Sequence, residues 1–237
     1  MTPWRYEPAL DLDQPLVERL RRFPREPDML VYGLRSAAAL LLRGWLRVYH
    51  RLRITGVNQL PVDGSFIMVA NHGSHLDTLC LLAALPLRKL HRAFPAAAQD
   101  YFFVSAHRLA VAAIVVNALP FARQSQIRQS LDLCRQLLAN PGNILILFPE
   151  GTRTLTGQIG EFRPGVGLLA AGLDVPVVPC RLEGAFEAWP KGRICPRPTR
   201  VHLCIGPPRK FSGQPPDRES AERISRELRQ AVLELGH

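Results

Sequence analysis

A histidine stands five residues ahead of an aspartate in Asn71-His72-Gly73-Ser74-His75-Leu76-Asp77, directly after an apolar run over 65–70. Imidazole titrates near pH ~6.5, so it can take a proton from a hydroxyl, and a carboxylate on its far nitrogen fixes the tautomer and stabilises the imidazolium. The same letters also serve structure. Ser74-x-x-Asp77 before an apolar stretch has the form of a capping box, with Asp77 complementing a helix N-terminus. His72, His75 and Asp77 are also three metal-ligand types, although the spacing is His-x-x-His-x-Asp rather than His-x-His-x-Asp-His, and no other histidine is close by. On this segment alone the three readings stay open.

A second segment, Phe148-Pro149-Glu150-Gly151-Thr152-Arg153, follows a continuous apolar run over 144–148, the pattern of a strand buried on both faces. Gly151 permits a tight bend, and Arg153 either reaches solvent or joins the glycine amides in a phosphate cradle. In a third, Leu119-Pro120-Phe121-Ala122-Arg123, an apolar run delivers one arginine at its end.

Each segment closes a strand, and the elements between them set their positions. Strands are predicted at 65–70, 93–98, 119–121, 144–148, 175–181 and 201–205, and helices at 76–85, 105–116, 125–139, 162–171 and 220–235. That alternation is an α/β layered domain, whose sites lie where strands end. Residues 54–237 are assigned to this domain, and 1–53 to an N-terminal arm and helix. Over 28–53, Leu34, Ala38, Leu41, Trp45, Val48 and Leu52 recur at helical spacing, and Arg43, Arg47 and Arg51 share another face. Such a helix either packs on the domain or lies in a membrane interface, Trp45 and the leucines in the acyl boundary and the arginines on anionic headgroups. The interfacial reading is preferred.

Thirty Lys and Arg against 20 Asp and Glu give 237 residues a net charge of +10, which favours anionic partners. There is no nucleic-acid motif or aromatic platform, so no nucleic acid is expected. Five scattered cysteines without a CxxC pair argue for a reducing compartment and against a zinc site or disulfide scaffold. The longest charge-free stretch, 109–122, is 14 residues, short of the roughly 20 a spanning helix needs.

Taken together, the segments resemble the glycerolipid acyltransferase family, of the lysophosphatidic acid acyltransferase type. Asn71, His72, Ser74 and Asp77 match its Asn-His-x-x-x-x-Asp motif. Leu119, Pro120, Phe121 and Arg123 match its second motif, with Asn117 where glycine is usual. Residues 148–153 match Phe-Pro-Glu-Gly-Thr-Arg letter for letter, and Val175-Pro176-Val177-Val178-Pro179 looks like its paired-proline strand. One departure is Phe162-Arg163-Pro164-Gly165, where the family often has Phe-Lys-Lys-Gly.

The resemblance implies a layered acyltransferase fold, a mixed sheet flanked by helices. It implies acyl transfer from acyl-CoA or acyl carrier protein to a lysophospholipid hydroxyl, without cofactor or metal. His72 is then the general base and Asp77 its orienter; Arg123, Gly151, Thr152 and Arg153 hold the acceptor phosphate, and Glu150 orients glycerol hydroxyls or Arg153. Asn71 and Ser74 support the turn. The acceptor expected is 1-acylglycerol-3-phosphate, with another lysolipid such as lyso-ornithine lipid as the alternative and a non-catalytic membrane-surface module as a distant one. A cytoplasmic protein held peripherally on the inner face of an anionic membrane follows as the expected location.

Overall fold

Two uninterrupted apolar runs become the centre of the structure, a computed structural model that describes residues 29–98, 119–121 and 127–236. In chain order its elements are α1 (Met29–Tyr49), β1 (Arg53–Thr55), β2 (Phe66–Ala70), α2 (Asp77–Ala84), β3 (Ala93–Ala98), β4 (Leu119–Phe121) and α3 (Ile127–Ala139). There follow β5 (Ile144–Leu147), α4 (Pro164–Ala170), β6 (Val177–Glu183), α5 (Ala185–Ala188), β7 (His202–Ile205) and α6 (Arg218–Glu234). Every residue of β2 and β5 is buried. The expected helix over 105–116, the arm over 1–28 and Arg123 lie outside the described residues.

The strands form one mixed sheet in the order β1-β7-β6-β2-β5-β3-β4. All neighbours are parallel except β6 and β7, which are antiparallel. The strand carrying the histidine segment is therefore flanked by β5, Val69 opposite Leu147, and by β6, Ala70 opposite Cys180. Because these three strands run the same way, the chain leaves all of them at one end of the sheet.

Side chains alternate across a pleated strand, and the sheet buries both faces. Phe66, Met68 and Ala70 pack with Leu46, Leu76 and Leu81 under α1 and α2. Ile67, Val69, Leu145 and Leu147 pack with Leu137, Leu169, Ile224 and Leu228 under α3, α4 and α6. Helices α4 and α6 approach so closely at Gly167 that a Cβ there would lie 2.0 Å from the Ala221 carbonyl oxygen. Asp217 caps α6, accepting from the Ser220 amide at 2.8 Å. Among the described residues no helix is long and apolar enough to cross a membrane.

Helix α1 turns a different face to the domain from the one its apolar stripe suggests. Arg35 and Leu46 are buried and Ala39 and Leu42 pack against the sheet core. The stripe residues Leu34, Leu41 and Val48 face outward, Leu41 at 78% and Val48 at 81% exposure. Trp45 lies between, half-buried, stacked on Tyr49 with centroids 5.7 Å apart and edge-on to the buried His50 at 4.7 Å. The row of three arginines is divided as well. Arg43 turns inward and donates to the Leu85 carbonyl, Arg47 is exposed, and Arg51, exposed too, lies past the end of the helix at φ +46° and so shares no face with them.

Leu46→Ala should therefore cost about 2–5 kcal/mol, whereas Leu41→Ala should fall within about 0.5 kcal/mol of the parent. Urea unfolding of both variants measures this, and similar losses at the two positions would contradict the orientation of α1.

Candidate active site

Where β2 ends, three donors converge on one carboxylate oxygen. Asp77 Oδ2 accepts from His72 Nδ1 at 2.8 Å, from the Gly73 amide at 2.7 Å and from the Ser74 amide at 2.8 Å. Asp77 is buried at the first residue of α2, at 1% exposure, where the helix N-terminus favours a negative charge. Its other oxygen, Oδ1, is buried with no hydrogen-bond partner. An oxygen already taking two backbone N–H groups acts as an acceptor toward the imidazole too, so Nδ1 carries the proton and Nε2 is the basic nitrogen.

The capping box forms only in part. Asp77 reaches back to the Ser74 amide, but Ser74 Oγ accepts from the Leu76 amide at 3.1 Å and donates to the Trp189 carbonyl at 2.8 Å. One aspartate thus caps the turn and orients the histidine. The three metal-ligand types do not converge: His75 Nε2 accepts from Arg153 Nη1, while Asp77 serves His72. Among the described residues no group of three or more His, Cys, Asp and Glu is placed to hold a metal.

The neighbouring strands hold the histidine by its backbone. From the β5 side, Glu150 Oε1 accepts from the His72 amide at 2.7 Å and the Thr154 amide donates to the His72 carbonyl at 2.8 Å. Phe148 stacks on the imidazole, centroids 4.2 Å apart. From the β6 side, Asn71 pairs with the Leu182 backbone, Nδ2 donating at 2.9 Å and Oδ1 accepting at 2.8 Å. Glu150 Oε2 accepts from the Gly160 amide at 3.0 Å. Burial pushes the Glu150 carboxyl up from its ordinary range, opposed by those two amides. Its carboxylate is thus aimed at backbone amides, whereas the sequence assigned it to Arg153 or glycerol hydroxyls.

The second segment bends as its glycine requires. Gly151 has φ +73°, in a turn closed by its amide to the Phe148 carbonyl at 3.0 Å. A Cβ there would lie 2.8 Å from Arg163 Nε, which places the one base kept in Phe162-Arg163-Pro164-Gly165 against this turn. Thr152 is exposed and Arg153 half-buried beside His75.

A cavity of about 240 Å³ opens beside His72, lined also by Asp77, Glu150, Arg181, Glu183 and Phe186. Arg181, absent from the sequence-derived set, pairs with Glu183 at 3.0 Å and donates to the Leu233 carbonyl at 2.6 Å. An arginine two residues beyond the paired-proline strand was its only signal. Phe186 roofs the cavity: a Cβ on Gly157 would lie 2.9 Å from its ring, and one on Gly73 3.3 Å from its Cβ.

The Arg153–His75 contact has an acid limit. Burial first, then the charge of Arg153, lowers the His75 pKa to about 4 from an ordinary 6.5. Between those values the unfolded chain binds the proton that the folded chain refuses, so stability falls as pH drops from 6.5 toward 4. In His75→Gln the side chain still offers Arg153 an acceptor but does not titrate, so its urea midpoint should fall less than the parent's between neutral pH and pH ~5. Parallel declines would show that His75 contributes nothing to acid sensitivity.

With this geometry in view, the comparisons converge. The model of the Acyltransferase family matches residues 51–183, more than half of the chain. A chloroplastic 1-acyl-sn-glycerol-3-phosphate acyltransferase of Brassica napus is 30% identical over 153 residues, 61% of this chain and 40% of that one. One from Chlamydomonas reinhardtii is 30% identical over 190 residues, 78% of this chain and 52% of that one. The mouse enzyme's alpha form is 26% identical over 188 residues, 79% and 65%. The chain thus spans between 40% and 65% of the length of these curated relatives. The crystal structure of the 1-acyl-sn-glycerophosphate acyltransferase PlsC from Thermotoga maritima superposes with a TM-score of 0.63 at 24% identity, covering 87% of this chain and 79% of that one, and shares the fold. The chain belongs to the Acyltransferase family.

Proposed function

We propose that this chain transfers a fatty acyl group from acyl-CoA or acyl carrier protein to the free hydroxyl of 1-acylglycerol-3-phosphate, giving phosphatidic acid. The observation that carries the reading is the His72–Asp77 pair at 2.8 Å, set in a turn whose backbone is gripped from both neighbouring strands. The relatives named above as 1-acyl-sn-glycerol-3-phosphate acyltransferases support the acceptor.

In this mechanism His72 Nε2 takes the acceptor hydroxyl proton as the oxygen attacks the thioester carbonyl. Asp77 holds the imidazolium that forms. The tetrahedral intermediate collapses with loss of the thiolate, a leaving group with a pKa of roughly 8.5 that departs without strong acid help, and the imidazolium then gives its proton to the released thiolate. Arg153 binds the acceptor phosphate, with Gly151, Thr152 and Arg123 completing its site; Asn71, Ser74 and Glu150 are positioning residues. The outward face of α1, with Leu34, Leu41, Val48 and Arg47, and with Arg51 just past its end, rests on the anionic membrane that holds the lipid.

A second acceptor is favoured by one feature. Glu187 lines the cavity beside His72, and a carboxylate there suits an acceptor that carries an amine, as lyso-ornithine lipid does.

His72→Ala should lower acyl transfer by at least about 10²-fold with folding retained, and Asp77→Asn should do so through loss of the correct tautomer. Near-normal turnover in His72→Ala would remove the mechanism. If Asp77→Asn lowers only the melting temperature, Asp77 serves as a cap alone.

Purified protein with labelled acyl-CoA and a lysolipid panel, read by product mass, tests the acceptor. Phosphatidic acid as the main product supports the first reading, and acylated ornithine lipid the second. Arg153→Ala should raise the acceptor KM more than the donor KM; equal activity on phosphate-bearing and phosphate-free acceptors would overturn the phosphate assignment.

A further inference from the structure

The proline-rich loop between α5 and β7 takes no part in the chemistry above, yet its composition is one-sided. Between Glu187 and β7 it carries four bases, Lys191, Arg193, Arg197 and Arg200, and no acid. At the loop's tip Ile194 is 89% exposed, more than any other large hydrophobic residue among those described. Lys191 and Arg197 are exposed on either side of it.

The tip is built into a fixed shape. The Arg193 amide donates to the Pro190 carbonyl at 3.2 Å, with Gly192 at φ +91° supplying the left-handed third position of the turn. Trp189 Nε1 donates to the Arg193 carbonyl at 2.9 Å, and the Arg197 amide to the Ala188 carbonyl at 2.8 Å. A turn braced in this way keeps Ile194 in water although the side chain gains nothing from the fold.

Its two feet stand on the parts of the molecule that must meet a lipid. Pro190 bridges Ser74 in antiparallel fashion, and the Trp189 carbonyl accepts from Ser74 Oγ at 2.8 Å and the His75 amide at 3.3 Å. At the other foot, Tyr49 Oη donates to the Pro196 carbonyl at 3.2 Å, which sets the loop against the last turn of α1 and its exposed Val48. The loop therefore spans from the histidine turn to the outward face of the helix.

We propose that Ile194, flanked by Lys191, Arg193 and Arg197, is a second membrane anchor that enters the headgroup layer of an anionic bilayer and sets the histidine turn at its surface. An acidic protein would match the charges equally. The apolar tip beside a second exposed apolar face is instead the arrangement of a surface lying in a lipid interface. The proposal takes its purpose from the lipid-substrate reading, but its test does not depend on turnover.

Cys195 adjoins Ile194 and is exposed, while Cys80, Cys134 and Cys180 are buried, burial pushing the Cys134 thiol up to about 12. A Cys204→Ser protein labelled on Cys195 with an environment-sensitive fluorophore therefore reports on the tip. On phosphatidylglycerol–phosphatidylcholine vesicles the emission should shift to the blue and lose most of its quenching by iodide, with little change on phosphatidylcholine alone. Ile194→Asp should weaken binding to the anionic vesicles by at least about tenfold. Ile194→Val should bind like the parent, and both should keep acyl transfer to detergent-dispersed acceptor.

A label that stays open to iodide on vesicles that have bound the protein would overturn the proposal. So would an Ile194→Asp variant that sediments like the parent. A blue shift with acyl carrier protein but none with vesicles would overturn it in favour of a protein partner. If the label shifts on vesicles while no lysolipid is acylated, the proposed function fails and the anchor stands.

Discussion

Asp77 Oδ2 is shared by the histidine ring and the two amides that follow it in the chain, and this sharing makes the turn and the imidazole a single object. If the carboxylate moved, the Gly73 and Ser74 amides would be left buried and unpaired, each at a cost of about 1–3 kcal/mol. The orientation of His72 is therefore enforced by backbone groups whose own hydrogen bonds depend on the same oxygen. Placement at the start of α2 adds the helix N-terminus to the same charge. The structural and the chemical readings of Ser74-x-x-Asp77 are two descriptions of one oxygen.

That oxygen fixes the ring only if the turn itself is fixed, and strand order does this. Because β2 lies between β5 and β6 and runs parallel to both, the loops leaving those strands flank the histidine segment. Glu150 and Thr154 close on the His72 peptide from one side, and Asn71 continues the ladder onto β6 from the other. A carboxylate used on a buried backbone N–H carries a desolvation cost, seen in the upward shift of Glu150. The two amides that reach it offset part of that cost. A largely buried carboxyl is tolerable at this cavity wall because it replaces ladder bonds the sheet can no longer supply.

Much of this was legible in the sequence, and the losses have physical causes. The buried strands Phe66–Ala70 and Ile144–Leu147 stand out because nothing polar interrupts them, and α2 ends ahead of Pro86 as a pre-proline position requires. Strand β1 escaped notice: Arg-Ile-Thr is three residues, and only its pairing with β7 makes it a strand. Helix α5, four residues long, is likewise made by its surroundings. The histidine and aspartate were readable because their spacing is local. The partners of Glu150 were not, since an acid beside an arginine in sequence invites pairing, and only the sheet reveals that its nearest donors are the His72 and Gly160 amides. Arg181 was hidden for the same reason.

Helix α1 shows what periodicity alone leaves open. Two apolar stripes run along it, one through Leu34, Leu41 and Val48 and one through Ala39, Leu42 and Leu46, and hydrophobicity alone ranks the first as the better candidate for the core. The fold chooses the second because small Ala39 permits close approach, while Leu46 fills the space over Phe66 and Met68. Arg35 and Arg43 share the inward side, and Arg43 is held by the Leu85 carbonyl at the end of α2. Two arginines on the domain side are costly for a helix whose only task is to cover a sheet, because burial lowers the pKa of both. The arrangement is economical only if the richer stripe is wanted elsewhere. Water offers that stripe nothing, and the membrane contact proposed above would give α1 a second apolar surface, one outside the protein beside the one inside it.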